Sequence, residues 1–99
     1  MSREEYVMPN KLTGIQLKQG SSLVCSATEG EASTDRATVK LTKGITWAVP
    51  AALTMLQKQV TLTATIHDAG VPTKSFAKPM YVSGIVGNGT VRLTDKKEG

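Results

Sequence analysis

Chemistry in this chain would have to come from a short set of side chains. His67 and Asp68 are the one place where a base and a carboxylate adjoin, and Cys25 and the serines are the available nucleophiles. A catalytic triad needs a carboxylate that orients the imidazole while the imidazole reaches the nucleophile. Neighbours on a strand point to opposite faces, so His67 and Asp68 cannot orient one another in that way. They read instead as the end of a strand and the start of a turn. One cysteine and one histidine cannot complete a four-ligand Cys/His metal site, and the 8 carboxylates fall mainly in termini and predicted loops, without calcium-loop spacing. Cys25 reads as a small apolar core residue, with no partner for a disulfide.

The run Gly84-Ile85-Val86-Gly87-Asn88-Gly89 has the glycine content of a phosphate cradle. Its glycine order does not fit the dinucleotide fingerprint, no Lys-Ser/Thr follows it, and a strand pattern stands where a helix would have to begin. Asn88-Gly89 between two β patterns predicts a type I′ hairpin turn. The residues therefore point to a protein that is not an enzyme and carries no cofactor or metal.

The formal net charge is +4, with Lys and Arg spread along the chain. Nucleic-acid binding would use Lys40, Lys43, Lys58, Lys74, Lys78 and Arg92, with Trp47 or Tyr81 as a stacking platform, and it requires those cations to share one face. Without clustering, the charge serves solubility. Trp47 falls on a strand face with Ile45 and Val49 and is expected to point inward as a core anchor. No stretch approaches the length of a membrane span and the N-terminus has no apolar signal segment, so the expected product is soluble, made in the cytoplasm, with no membrane partner.

The elements that must position these residues follow from periodicity. In Val60-Thr61-Leu62-Thr63-Ala64-Thr65-Ile66 apolar and threonine side chains alternate strictly, which places them on opposite faces of a strand. Further strands are expected over 11–17, with a bulge at Gly14, over 23–27, 37–42, 45–49, 80–86 and 90–93. Residues 28–35 are small and polar and read as the most exposed loop. Residues 51–57 could form one or two helical turns, whereas 74–78 is ambiguous and Pro79 starts or interrupts the strand beyond it. Residues 1–10 make an N-terminal arm, 11–94 a single β domain and 95–99 a solvated tail.

With 99 residues and a hydrophobic fraction of 39%, one core is expected, built mainly from Val, Leu, Ile, Ala and Met. Short strands with frequent turns predict an all-β fold: a small antiparallel sandwich of immunoglobulin-like type, with an OB- or SH3-like barrel as the alternative. A thin core is easier to tolerate when part of the surface is buried against a partner. The surfaces offered for that purpose are Tyr6 in the arm and the polar strand faces of Thr38, Lys40 and Thr42 and of Thr61, Thr63 and Thr65.

Residues 60–72, Val-Thr-Leu-Thr-Ala-Thr-Ile-His-Asp-Ala-Gly-Val-Pro, resemble the bacterial immunoglobulin-like domains, which often carry a Val-Thr-Leu-Thr-Ala strand followed by an Asp/Gly turn. The resemblance implies a β-sandwich used as a spacer or adhesive module in surface or phage structural proteins, with no catalytic residues to carry over. The expected function is that of a structural or interaction protein. It would be a subunit of a larger assembly such as a phage virion or tail component, with other protein subunits or copies of itself as partners. The alternative is a nucleic-acid-binding barrel.

Overall fold

The computed structural model describes residues 10–68, 71–86 and 89–97. It is all-β: β1 (Asn10–Gln19), β2 (Ser22–Ala32), β3 (Thr38–Lys43), β4 (Thr46–Trp47), β5 (Gln59–Asp68), β6 (Val71–Ile85) and β7 (Val91–Thr94), with a 3-10 helix at Ala52–Met55 between β4 and β5. Hydrogen-bonded neighbours run β1-β5-β6-β7-β3-β2, and β2 pairs back onto β1, so six strands close on themselves. Every pairing is antiparallel, and β4 adds a short strand beside the first half of β2.

This closure replaces the expected two-layer sandwich with a small barrel. A sandwich leaves strand edges at the border of each sheet; here β1 is paired on both sides, with β2 through Leu12↔Gly30 and with β5 through Leu12↔Ile66. Bulges bend the sheet enough to close it. Gly14, with φ +60, stands where the β1–β5 register slips between Thr13 and Gln16, and glycine adopts that backbone without a Cβ penalty. The strands are strongly staggered: from Lys11, stepping through β5 reaches Pro72 on β6, whereas stepping through β2, β3 and β7 reaches Gly84 on the same strand. One side of the barrel wall is therefore longer than the other.

The interior is aliphatic, as composition predicts. Leu12, Ile15, Leu17, Val39, Leu41, Val60, Leu62, Ile66, Met80, Val82, Val91 and Leu93 are buried, and none of the described aromatic residues is. Small side chains suit a narrow barrel, whose interior only side chains fill. Met55 of the 3-10 helix, also buried, closes the end of the barrel where β1 and β3 finish, called the lower end below.

Three expectations about the elements are corrected. Residues 28–32 are strand, not loop, because Gly30 and Ala32 face inward while Glu29 and Glu31 face out, an alternation hidden by the small size of the buried partners. A Cβ on Gly30 would sit 2.7 Å from the Lys40 carbonyl oxygen, so only glycine fits there. On β2 a register slip makes Val24 an extra, buried residue and leaves Leu23 exposed, where simple alternation puts Leu23 with Cys25 and Ala27. Residues 74–78 and Pro79 belong to the single long β6.

The predicted 60–66 strand and the short helical segment are present. The 37–42 strand lies one residue further on, and the 45–49 strand shortens to β4. Gly87 and Asn88, half of the predicted turn, lie outside the described residues, although β6 and β7 are antiparallel neighbours.

Candidate interaction surface

The polar faces offered for partners are real but separate. Thr38, Lys40 and Thr42 are exposed on β3; Thr61 is exposed and Thr63 and Thr65 half-buried on the outside of β5. β3 and β5 stand on opposite sides of the ring, two strands apart in either direction, so the barrel does not merge these faces. Tyr6 lies outside the described residues. On the β5 side the outer surface continues onto β6, where Thr61, Thr63 and Thr65 lie opposite Pro79, Ala77 and Ser75. Those three are exposed and short, so this side of the barrel is flat.

The cations do not share a face. Lys40 sits in register between Glu31 and Arg92 on the outside of β2, β3 and β7. Lys43 is 3.8 Å from Glu29, which also lies 3.9 Å from Lys11. Lys74 and Lys78 pair with the buried Ile66 and Leu62, and so share the inward-facing side of β6 with Met80. The Lys78 amine donates to the Arg36 carbonyl at 2.9 Å and lies 3.5 Å from Asp95. Lys58 is exposed just before β5. Trp47 is half-buried against the core, opposite Cys25, and is not presented as an exposed stacking platform.

His67 accepts or donates one hydrogen bond, Nε2 to Thr13 Oγ1 at 2.8 Å. Burial pushes the Cys25 thiol up to about 11, against the lowering effect of a Thr46 backbone hydrogen bond, so its reactive thiolate is absent near neutrality. Among the described residues no three His, Cys, Asp or Glu side chains cluster to hold a metal ion. A shallow hollow of about 460 Å³ lies between the Gly14 bulge and the bend at Gly44. Gln16, Ser26, Thr28 and Thr46 supply its polar lining, and no titratable side chain lines it.

The feature that periodicity does not reveal is a strand edge. Among the described residues, the 71–80 stretch of β6 pairs only with β5, with Thr73 passed over at a register shift, because β7 joins β6 only from Tyr81 downward. The Val82 N–H donates to the Lys58 carbonyl at 3.2 Å, extending the β5–β6 ladder by one residue. In an antiparallel ladder bonded and non-bonded pairs alternate, so the even-numbered residues of β6 bond to β5 and the odd-numbered ones turn their peptide groups the other way. At Tyr81 that other side meets Thr94 of β7. At Ser75, Ala77 and Pro79 it meets no described strand.

This assignment also explains Pro79. Its missing N–H falls on the open edge, where no ladder bond is lost, so β6 runs through the proline unbroken. Pro79, with Lys74 and Lys78 on the inward side, is the kind of residue that guards an exposed edge against indiscriminate pairing. A strand pattern carrying prolines and alternating lysines was the available sequence signal for it.

The exposed large apolar side chains, Leu23, Leu53, Leu56 and Val86, belong to segments at the lower end of the barrel, away from this edge. Among the described residues no helix is long and apolar enough to cross a membrane. Comparison with protein-family models, curated proteins and solved structures finds no match to this chain.

Proposed function

We propose that this protein is a non-enzymatic assembly subunit that joins copies of itself into a larger structure through the open upper edge of β6. The observation that carries this reading is the stretch Ser75–Ala77–Pro79, whose outer edge meets no strand among the described residues, beside an outer face of short side chains. Strand addition to such an edge supplies main-chain hydrogen bonds, while neighbouring side chains select the partner. The scaffold is a closed barrel, nearer to the OB/SH3-like alternative than to a sandwich, and it holds the edge rigidly because β5 is itself paired on both sides. The scattered cations, several of them already facing carboxylates, do not favour a nucleic-acid groove.

The test is solution mass by light scattering over a range of concentrations, for the wild-type chain and for Ala77→Pro. The Ala77 N–H points to the open edge, so the substitution blocks strand addition and leaves the β5 ladder in place. Defined multimers that Ala77→Pro weakens tenfold or more, and that a single-stranded oligonucleotide leaves unchanged, are expected. A monomer at every concentration, or a salt-labile complex with the oligonucleotide, overturns the reading.

A further inference from the structure

We infer that Lys78 is a latch over the lower part of the β6 edge: it fastens the β2–β3 turn to β6, and its release frees the edge for a partner strand; this rests on the reading of that edge given above. The upper half of β6 has β5 on one side. On its other side β7 ends at Thr94, which pairs with Thr38 at the start of β3 and with Tyr81 of β6. Above that level no strand among the described residues continues the wall, and the barrel has a seam. Lys78 bridges it: its amine donates to the Arg36 carbonyl at 2.9 Å and lies 3.5 Å from the Asp95 carboxylate.

The far side of the seam holds both acceptors as one unit. The Ser33 N–H donates to the Thr38 carbonyl and the Arg36 N–H to the Ser33 carbonyl, which closes the β2–β3 turn on itself. The Asp95 N–H donates to the Ala37 carbonyl at 2.9 Å and ties the chain leaving β7 to that same turn. Arg36 stands at φ 58, in the left-handed region that a non-glycine residue occupies at a cost, and its carbonyl is the one that accepts from Lys78. The Lys78 and Asp95 side chains are 28% and 31% exposed, against 56% for Lys11 in its pair with Glu29, so solvent and salt screen the latch less than that surface pair.

The latch divides the edge. Lys78 lies between Ala77 and Pro79, so the turn it holds stands beside the lower part of the edge, whereas Ser75 is three residues further up the strand, about 10 Å away. With the latch shut, a partner strand meets the outward peptide groups of Ser75 and Ala77. That ladder is short for the entropy lost in ordering a strand, because each hydrogen bond exchanged with water contributes modestly. With the latch released the ladder runs on to the Pro79 carbonyl. Association is thereby held below its full strength until the turn moves aside.

The experiment follows residue-resolved amide exchange in dilute, dissociated protein and association by light scattering, in the wild type, Lys78→Met, Lys78→Arg and Asp95→Asn. Methionine keeps an apolar stem without the amine, whereas arginine keeps donors for both acceptors. In Lys78→Met the Asp95 and Phe76 amides are expected to exchange tenfold or more faster while those of β1 keep their rates, and association is expected to tighten tenfold or more. Lys78→Arg should restore wild-type values, Asp95→Asn should move both readouts in the direction of Lys78→Met, and adding Ala77→Pro should cancel the gain in association. Unchanged exchange in both Lys78→Met and Asp95→Asn overturns the latch. Faster exchange with association unchanged or weakened makes Lys78 a fastening that does not control the edge; the latch assignment then falls, and the edge reading stands or falls with Ala77→Pro alone. If the wild type and Lys78→Met are both monomeric at every concentration, the edge reading falls and the latch over it falls too.

Discussion

At the scale of single residues, burial sets the reactivity of the one cysteine. Cys25 is buried, and with its acidity pushed to about 11 the folded state holds the thiol proton more tightly than the unfolded chain. The sign follows: stability is independent of this group below the ordinary value of 9.0 and falls as pH rises from there toward 11. Iodoacetamide at pH 8 is accordingly expected to label Cys25 at least tenfold more slowly in the native protein than in urea, which mass spectrometry over time would measure.

Ser83 presents the opposite case. Its hydroxyl is inaccessible and has no hydrogen-bond partner among the described residues, beside the register slip between Val82 and Gly84. Removing an unsatisfied buried hydroxyl relieves a desolvation cost, so Ser83→Ala is expected to raise stability by up to ~1 kcal/mol, read as an increase of a few degrees in Tm. A lower Tm would show that the hydroxyl is satisfied in solution.

At the scale of elements, turns and close approaches decide the register. The β2–β3 connection is held by Asp35, which accepts from the Ala37 N–H at 3.0 Å and from the Ser33 hydroxyl at 2.8 Å, and Ser33 Oγ in turn accepts from the Thr38 N–H. The Ala37 N–H chiefly, and then Ser33, hold the Asp35 carboxyl below its usual value. A lowered acid contributes stability above the unfolded-state value and loses it as pH falls toward the folded one. Asp35→Ala is therefore expected to melt lower than wild type at pH 7, with the two melting temperatures converging at acid pH; a constant gap would remove the carboxylate from the explanation.

Gly30 tests the packing of the same pair of strands. Its absent Cβ leaves room for the Lys40 carbonyl and for the Ile15 methyl, whose carbon would lie 2.8 Å from an added Cβ. Gly30→Ala forces backbone apart rather than a flexible side-chain tip, and a loss of about 1–3 kcal/mol in denaturant unfolding is expected.

At the scale of the molecule, the stagger of the barrel carries β6 past β7, so that among the described residues β7 pairs it only from Tyr81 on. If copies join there, association draws the folding equilibrium toward the native state. Tm is then expected to rise with protein concentration in the wild type and to stay constant in Ala77→Pro. Differential scanning calorimetry at two concentrations a hundredfold apart separates these outcomes. The surface ion pair network of Lys11, Glu29 and Lys43 is exposed and weak, so moderate salt should leave the melting of a dilute, dissociated sample nearly unchanged.

The sequence alone specifies the strand character and inward face of 60–66, the Gly14 bulge, the turn of helix after β4 and an aliphatic core, because each depends on local periodicity or on the backbone freedom of one residue. It did not determine that 28–32 continues β2, since glycine and alanine carry too little hydrophobicity to mark an inward face. Nor did it show that β6 crosses Pro79, since a proline is harmless only if its nitrogen points away from a partner, and that depends on which side β5 occupies. Barrel rather than sandwich was decided when β1 paired with both β2 and β5, a contact between segments about fifty residues apart. The open edge at Ser75 and Ala77 exists only through that closure and its stagger, which no local pattern encodes.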